Sequence, residues 1–187
     1  KELKRYYLAD NNIKYRDEKS DKYSADNRIA SDWAKYITVF EQGYMLGNPV
    51  EYKNENAEIQ ALIDNFSKQN NEQEHNVAIK TDLAIYGRAY ELLNTFQDVD
   101  GSVWVKLYRM NPEQTFVIYD DSYEQRSLMA VNYYSISYGN GHKRDFVKVY
   151  TDDAIYEYVD DNQEADTLRL KETSEHFFNG VPVNEFS

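Results

Sequence analysis

The residues of this chain with the best spacing for chemistry are acidic. Asp98-Val99-Asp100-Gly101 alternates carboxylates ahead of a glycine, the arrangement by which side chains converge on a calcium ion around a tight turn. With Gly101 as the turn glycine, however, the first and last ligand positions of such a loop fall on Phe96 and Leu107, and neither can ligate. His75, His142 and His176 lie far apart, and none belongs to a His-Glu-x-x-His pair that would set two imidazoles on one helix face. Each histidine therefore reads as a surface or internally satisfied residue. Gly139-Asn140-Gly141-His142-Lys143-Arg144 lacks the third glycine and the Gly-Lys-Ser/Thr ending of a phosphate loop, and reads as a hairpin tip. No Gly-x-Ser-x-Gly elbow is present, and without cysteine a Cys-His nucleophile is impossible. Among so many carboxylates some pair will fall roughly 5 to 9 Å apart, the range used by glycosidases, so proximity alone assigns no acid-base role. The expectation is no catalytic residue, no cofactor and no metal.

Composition narrows the partners. Twenty-one Lys plus Arg against 33 Asp plus Glu give a formal charge of −12, and no basic block exceeds Lys143-Arg144. Gripping nucleic-acid phosphates needs clustered cations, so an acidic wall past which DNA slides fits better than a DNA-capturing surface. The absence of cysteine excludes disulfides and fits a chain folded in a reducing cytoplasm. No apolar run approaches the roughly 18 residues of a membrane span, and no signal-peptide pattern is present. A chain running from Lys1 to Ser187 without an initiating Met reads as a piece of a longer protein. Its length allows one domain burying about 70% of its extended surface. Eighteen tyrosines are an excess that suits half-buried sheet faces first and subunit contacts second.

The elements that would position these residues change character midway. Leu3 to Ile13 reads as a short helix and Lys14 to Asp26 as a mobile polar loop. Helices are expected at Ala57–Lys68, with Ile59, Leu62, Ile63 and Phe66 on one face, and at Glu72–Tyr86, with Ile79, Leu83 and Tyr86 inward and Gly87 as the stop. Gln69-Asn70-Asn71 is the connector between them. From Arg88 the apolar period becomes two, and strands are expected at Ala89–Phe96, Val103–Met110, Thr115–Tyr119, Leu128–Ser137, Phe146–Tyr150, Ile155–Val159 and Thr167–Glu172. Turns at Asp100-Gly101, Asn111-Pro112, Asp120-Asp121-Ser122, Gly139-Asn140-Gly141, Asp152-Asp153 and Asp160-Asp161-Asn162 suit hairpins. The expected fold is a single α+β domain over residues 1–187, with N-terminal helices (to about residue 87) packed on a mainly antiparallel multi-stranded sheet (from about residue 88).

The most informative stretch is Asn27 to Tyr52. Ile29, Trp33, Tyr36, Ile37, Phe40 and Tyr44 recur at three- and four-residue steps, with Arg28, Ser31, Asp32, Lys35, Thr38, Glu41 and Gln42 opposite. That pattern predicts a helix over Asn27–Leu46, about 20 residues and roughly 30 Å long, with the aromatic side buried. Asp26 or Asn27 would cap its start, a left-handed Gly47 its end, and Pro49 forbids continuation.

The Asn27-Arg28-Ile29 helix running into Gly43-Tyr44-Met45-Leu46-Gly47-Asn48-Pro49 resembles the N-terminal part of portal proteins from long-tailed phages of Gram-positive bacteria. Three further stretches agree in the same order: Asp82 to Glu91; Met110-Asn111-Pro112 followed by Val117-Ile118-Tyr119-Asp120; and His176 to Val183. The resemblance implies the wing region of a portal, a ring of about a dozen copies at one capsid vertex, joined through heterologous faces. Double-stranded DNA would pass through that ring during packaging by a separate terminase and leave through the tail. It implies a non-enzymatic virion component, assembled in the host cytoplasm and met by terminase, capsid and head-completion proteins. DNA-contacting elements are expected after Ser187. Carried over here are Asn27 and Arg28, with Trp33, Tyr36 and Phe40 as packing residues and Gly47, Asn48 and Pro49 as the turn. The polar side of the Asn27–Leu46 helix and the tyrosine-bearing sheet are the candidate subunit faces. Two other classes stay open: a carbohydrate-binding or glycosidase-like module with a Tyr/Asp-lined groove, and an acidic DNA mimic.

Overall fold

The computed structural model of the chain describes residues 1–17, 23, 25, 27–160 and 168–187. Helices α1 (Glu2–Tyr7), α2 (Trp33–Leu46), α3 (Ala57–Asn70) and α4 (Glu72–Tyr86) precede eight strands: β1 (Ala89–Gln97), β2 (Val103–Met110), β3 (Thr115–Tyr119), β4 (Ser127–Ser137), β5 (Lys143–Tyr150), β6 (Ala154–Val159), β7 (Arg169–Glu175) and β8 (Val183–Phe186). This is the α+β order the sequence predicts, and every strand pairing is antiparallel. The strands form two sheets rather than one: β2-β1-β8, and the meander β3-β4-β5-β6-β7.

The turns close as their residues dictate. At the β1–β2 tip, Asp100 Oδ1 accepts from the Ser102 amide (2.9 Å) and hydroxyl (2.6 Å), while Gly101 sits at φ +86°. The Ser102 hydrogen bonds hold the Asp100 carboxyl below its usual pKa, so this acidic pair works as a turn. Asp120 Oδ1 likewise gathers Ser122 and Arg126 amides after β3, and Thr151 bonds Asp153 between β5 and β6. Gly139–Gly141 makes the β4–β5 tip, closed by the Tyr138 amide donating to the His142 carbonyl at 2.7 Å. Asp161, Asn162 and Thr167 lie outside the described residues.

The main core lies where the two sheets meet. Tyr90, Met110 and Val183 from the smaller sheet pack with Ala130 and Tyr150 from the larger, flanked by Leu92, Val117, Ile155 and Val181. Burial pushes the Tyr150 hydroxyl up to about 12. Strand β8 closes this core: Val183 pairs with Leu92, and the Leu93 amide donates to the Pro182 carbonyl at 2.8 Å. Four residues are too few to show a period of two, which is why β8 is not legible as a strand before folding.

Helices α3 and α4 cover the smaller sheet and are tied to it by polar side chains. The connector between them shrinks to Asn71, at φ +46° and ψ +52°, because α3 runs on through Asn70. Asn70 is buried for a reason: its carboxamide accepts the Leu107 amide (2.9 Å) and donates to the Val105 carbonyl (3.1 Å) on the open edge of β2. With Lys106 Nζ on the Gln69 carbonyl (2.9 Å), α3 occupies hydrogen-bonding groups that a further strand would otherwise take. Asp82 of α4, 1% exposed, makes a bidentate pair with Arg109 of β2, and that hydrogen bonding raises the Arg109 pKa against its desolvation. His75 of α4 meets Glu91 of β1 at 2.6 Å, and Asn184 of β8 donates to the same carboxylate at 3.0 Å. Gly87 ends α4 in the left-handed region (φ +71°), as predicted, its amide on the Leu83 carbonyl.

Three expectations are corrected. The predicted Leu3–Ile13 helix stops at Tyr7: Ala9 turns left-handed (φ +57°), the Asp10 amide returns to the Arg5 carbonyl, and Arg5 pairs with Asp10 at 3.0 Å. A 3-10 turn follows at Asn12–Tyr15. The predicted Thr167–Glu172 strand lies three residues later at its far end, as Arg169–Glu175. The accessible surface is 13943 Å², against about 9300 Å² for a compact monomer of 22.1 kDa. About 56% of the extended surface is buried rather than 70%.

Candidate subunit-contact surface

Helix α2 begins at Trp33, not at Asn27. The six residues before it are held by bonds that compete with a helix: the Ile29 amide donates to the Asn27 carbonyl (2.8 Å), Arg28 Nη1 to the Arg16 carbonyl (2.9 Å) and Asn11 Nδ2 to the Ser31 carbonyl (2.7 Å). Asp32 is the capping position and makes no side-chain cap, and Asn27 caps nothing; Asp26 lies outside the described residues. The helix is therefore 14 residues long, about 21 Å.

Its orientation inverts the expectation. The stripe that meets the protein is Thr38, Gln42 and Leu46, at four-residue steps, with Thr38 alone buried. Gln42 donates to the Val77 carbonyl (3.2 Å) and Thr81 Oγ1 (3.0 Å) of α4, Lys80 reaches Glu41 at 3.1 Å, and Gln73 Nε2 donates to the Leu46 carbonyl at 2.6 Å. Part of the polar side, a candidate subunit face from sequence, is thus engaged with α4, while Ser31, Asp32 and Lys35 of the same side stay exposed. The aromatic side, expected to be core, points outward: Trp33 is 66% exposed, Tyr36 61%, Phe40 66% and Tyr44 87%, with Ile29, Ile37 and Met45 also exposed. The physical reason is layering. α4 and α3 already cover the β1–β2 face, so α2 packs mainly on α4, as an outer layer.

The exposed rings are ordered against one another. Trp33 and Tyr36 meet edge to face (centroids 5.6 Å, 85°), and Tyr36 and Phe40 stack at 6.5 Å and 23°. They form a continuous ridge. Each large apolar side chain left in water forgoes about 1.5–3 kcal/mol of burial.

The exit of α2 places a second feature. Gly47 is right-handed (φ −64°, ψ −27°) rather than left-handed, and glycine is needed there because an added Cβ would run into the Gly43 carbonyl oxygen. After Asn48 and Pro49 the chain crosses α3, where Gln60 donates to the Tyr52 carbonyl (3.0 Å) and accepts the Asn54 amide (2.7 Å). The Tyr52 hydroxyl bonds Glu72, which pushes its pKa up. This crossing walls an open cleft of about 590 Å³ against α3 and α4, and beside it an apolar notch of about 370 Å³ lined by Tyr52, Leu62, Ile63 and Phe66 with Ser67 and Glu72. The Ile59–Phe66 stripe was visible in the sequence, but its use as a notch was not, because Tyr52 joins it only through the turn at Pro49.

The remaining candidates are structural. His176 Nε2 donates to the Thr151 carbonyl (2.9 Å) and Nδ1 accepts the Phe178 amide, and His142 is exposed beside the β4–β5 tip. Among the described residues no group of three or more His, Cys, Asp or Glu is placed to hold a metal, and no helix is long and apolar enough to cross a membrane. A groove of about 420 Å³ at the sheet junction carries Tyr108, Tyr134 and Tyr150, but its charged walls are Arg109 and Lys148. It lacks the convergent carboxylates a saccharide-cleaving site requires.

An ordered aromatic ridge and an apolar notch, both open on an acidic scaffold, are the kind of surface that marks a contact site rather than a catalytic cleft. The comparison with protein families adds the identity: the chain belongs to the phage portal protein family, SPP1 Gp6-like, which it matches over residues 1–187. No curated protein matches it. The family is structural and non-enzymatic, and its members are phage virion components that form multi-subunit rings with capsid and DNA.

Proposed function

We propose that this chain is the wing region of a portal subunit, in a ring of about a dozen copies joined head to tail. The ring is the conduit for double-stranded DNA entering the capsid and leaving through the tail, and the docking point for terminase and head-completion proteins. The observation that carries this reading is the family match across the whole chain. The charge of −12 supports passage of DNA rather than capture, since no basic cluster offers counterion release. In this role Asn27, Arg28, Gly47, Asn48 and Pro49 set the entry and exit of α2, while Trp33, Tyr36 and Phe40 pack in the assembled ring. Assembly takes place in the cytoplasm of the bacterial host.

The test is electron microscopy of the full-length protein, together with complementation of a phage lacking it. Closed rings with a central channel, and DNA-filled heads restored only by the intact gene, are expected. A full-length protein that stays monomeric at high concentration and in assembling capsids would refute the reading. Retention on immobilised glycans, abolished by Tyr108→Ala or Tyr134→Ala in the folded protein, would favour the sugar-binding alternative instead.

A further inference from the structure

We infer that the aromatic ridge of α2 is one half of the subunit contact, and that it docks into the α3 notch of the next copy in the ring. The inference rests on the portal reading above and adds the two faces that meet.

Area supports a copy of the same chain as the occupant. With about 150–250 Å² per aromatic side chain, the four ridge rings at 61–87% exposure offer on the order of 550 Å² before Ile37, Val39 and Met45 are added. A standard specific contact needs about 800 Å² per partner. The surface is available, and it is ordered rather than scattered: Trp33, Tyr36 and Phe40 hold one another in register.

Shape selects the partner face. A ring requires two different faces on each copy, one meeting the other. The ridge is convex and aromatic. The notch is concave, with Leu62 at 69% exposed on its rim and Ile63 and Phe66 half-buried in its floor. It has room for an aromatic side chain, and its Tyr52 and Glu72 can receive the hydroxyl of an incoming tyrosine. Electrostatics points the same way. Copies carrying −12 each repel, so a contact between them must draw on apolar burial and should tighten as salt screens the repulsion.

Residues 1–187 contain no cysteine, and any cysteine elsewhere in the full-length protein is first replaced by serine, so that a designed pair reports cleanly. Phe40→Cys and Leu62→Cys are introduced singly and together into the full-length protein, and oxidised samples are run without reductant. A disulfide requires Cα atoms within about 7 Å. A ladder of covalent oligomers from the double variant, absent from either single variant, is the expected result. Dimers from Phe40→Cys alone would mean that ridge meets ridge, and would overturn the proposal. A covalently closed monomer would mean that the notch is filled by its own chain, with the same consequence. Rings seen by microscopy without any cross-link would place the contact elsewhere while leaving the portal reading intact; the absence of rings would remove both. As a second readout, Phe40→Glu and Leu62→Glu should each raise the concentration for half-assembly about 30-fold or more, with thermal unfolding of the subunit unchanged. Unimpaired assembly of both variants would refute the contact.

Discussion

Replacing Asn70 by Leu tests whether α3 is held to the sheet by hydrogen bonding or by apolar contact. The side chain keeps its approximate volume and loses three hydrogen bonds: from the Leu107 amide, to the Val105 carbonyl and to the Phe66 carbonyl. The Phe66 carbonyl is already used within the helix, so the loss falls on the two β2 groups. Leaving a buried main-chain donor or acceptor unpaired costs about 1–3 kcal/mol. Val105 and Leu107 are half-buried rather than sealed, so water recovers part of this, and a loss of about 2–3 kcal/mol is expected. In a chain of this size that lowers Tm by roughly 4–12 °C. Urea unfolding of the purified chain measures it, and hydrogen exchange locates it: the Leu107 amide should lose protection about 30-fold or more, while the Ile155 amide of the other sheet changes only with global stability. A loss below about 0.5 kcal/mol with Leu107 still protected would show that the carboxamide clamp is not what closes the β2 edge.

Three further outcomes follow from the same geometry. Gly87→Ala should destabilise by about 1–2 kcal/mol, all of it conformational because an added Cβ meets nothing within 4 Å at φ +71°; Gly87→Asn should cost less, and equal losses would refute the account. Ultraviolet titration should find a tyrosine near 12 that Tyr150→Phe removes. Its folded pKa lies above the ordinary tyrosine value of 10.0, so the contribution of Tyr150 is complete below about pH 10 and is lost as pH rises through about 12. Wild type should lose stability over that window faster than Tyr150→Phe. Finally, Phe40→Glu with Tyr44→Glu in the isolated chain should shift stability by no more than about 0.5 kcal/mol and lower the binding of a hydrophobic dye; a loss of several kcal/mol would mean the ridge is core after all.

Periodicity made α3, α4 and six of the strands legible because each carries its own evidence: apolar residues at helical steps, then alternation, with Asn, Asp and Gly between. Gly87 could be named as a stop because a left-handed position favours glycine wherever it occurs. Asn70 could not be recognised as a clamp. In sequence it belongs to a polar connector, and its role exists only because β2, 35 residues later, brings an open edge beside it. β8 was invisible because four residues show no period and its partner Leu92 lies about ninety residues earlier in the chain.

The chain by itself determined that α2 has two sides, that no cysteine nucleophile, Gly-x-Ser-x-Gly elbow or phosphate loop is present, and which family the wording resembles. Tertiary structure decided which side of α2 faces out. An amphipathic pattern says that an apolar face must be covered, not by what. Here α4 and α3 occupy the sheet first, and α2 is left holding α4 through Thr38 and Gln42. The aromatic ridge of Trp33, Tyr36 and Phe40, with Tyr44 beyond it, then stands where another molecule can reach it.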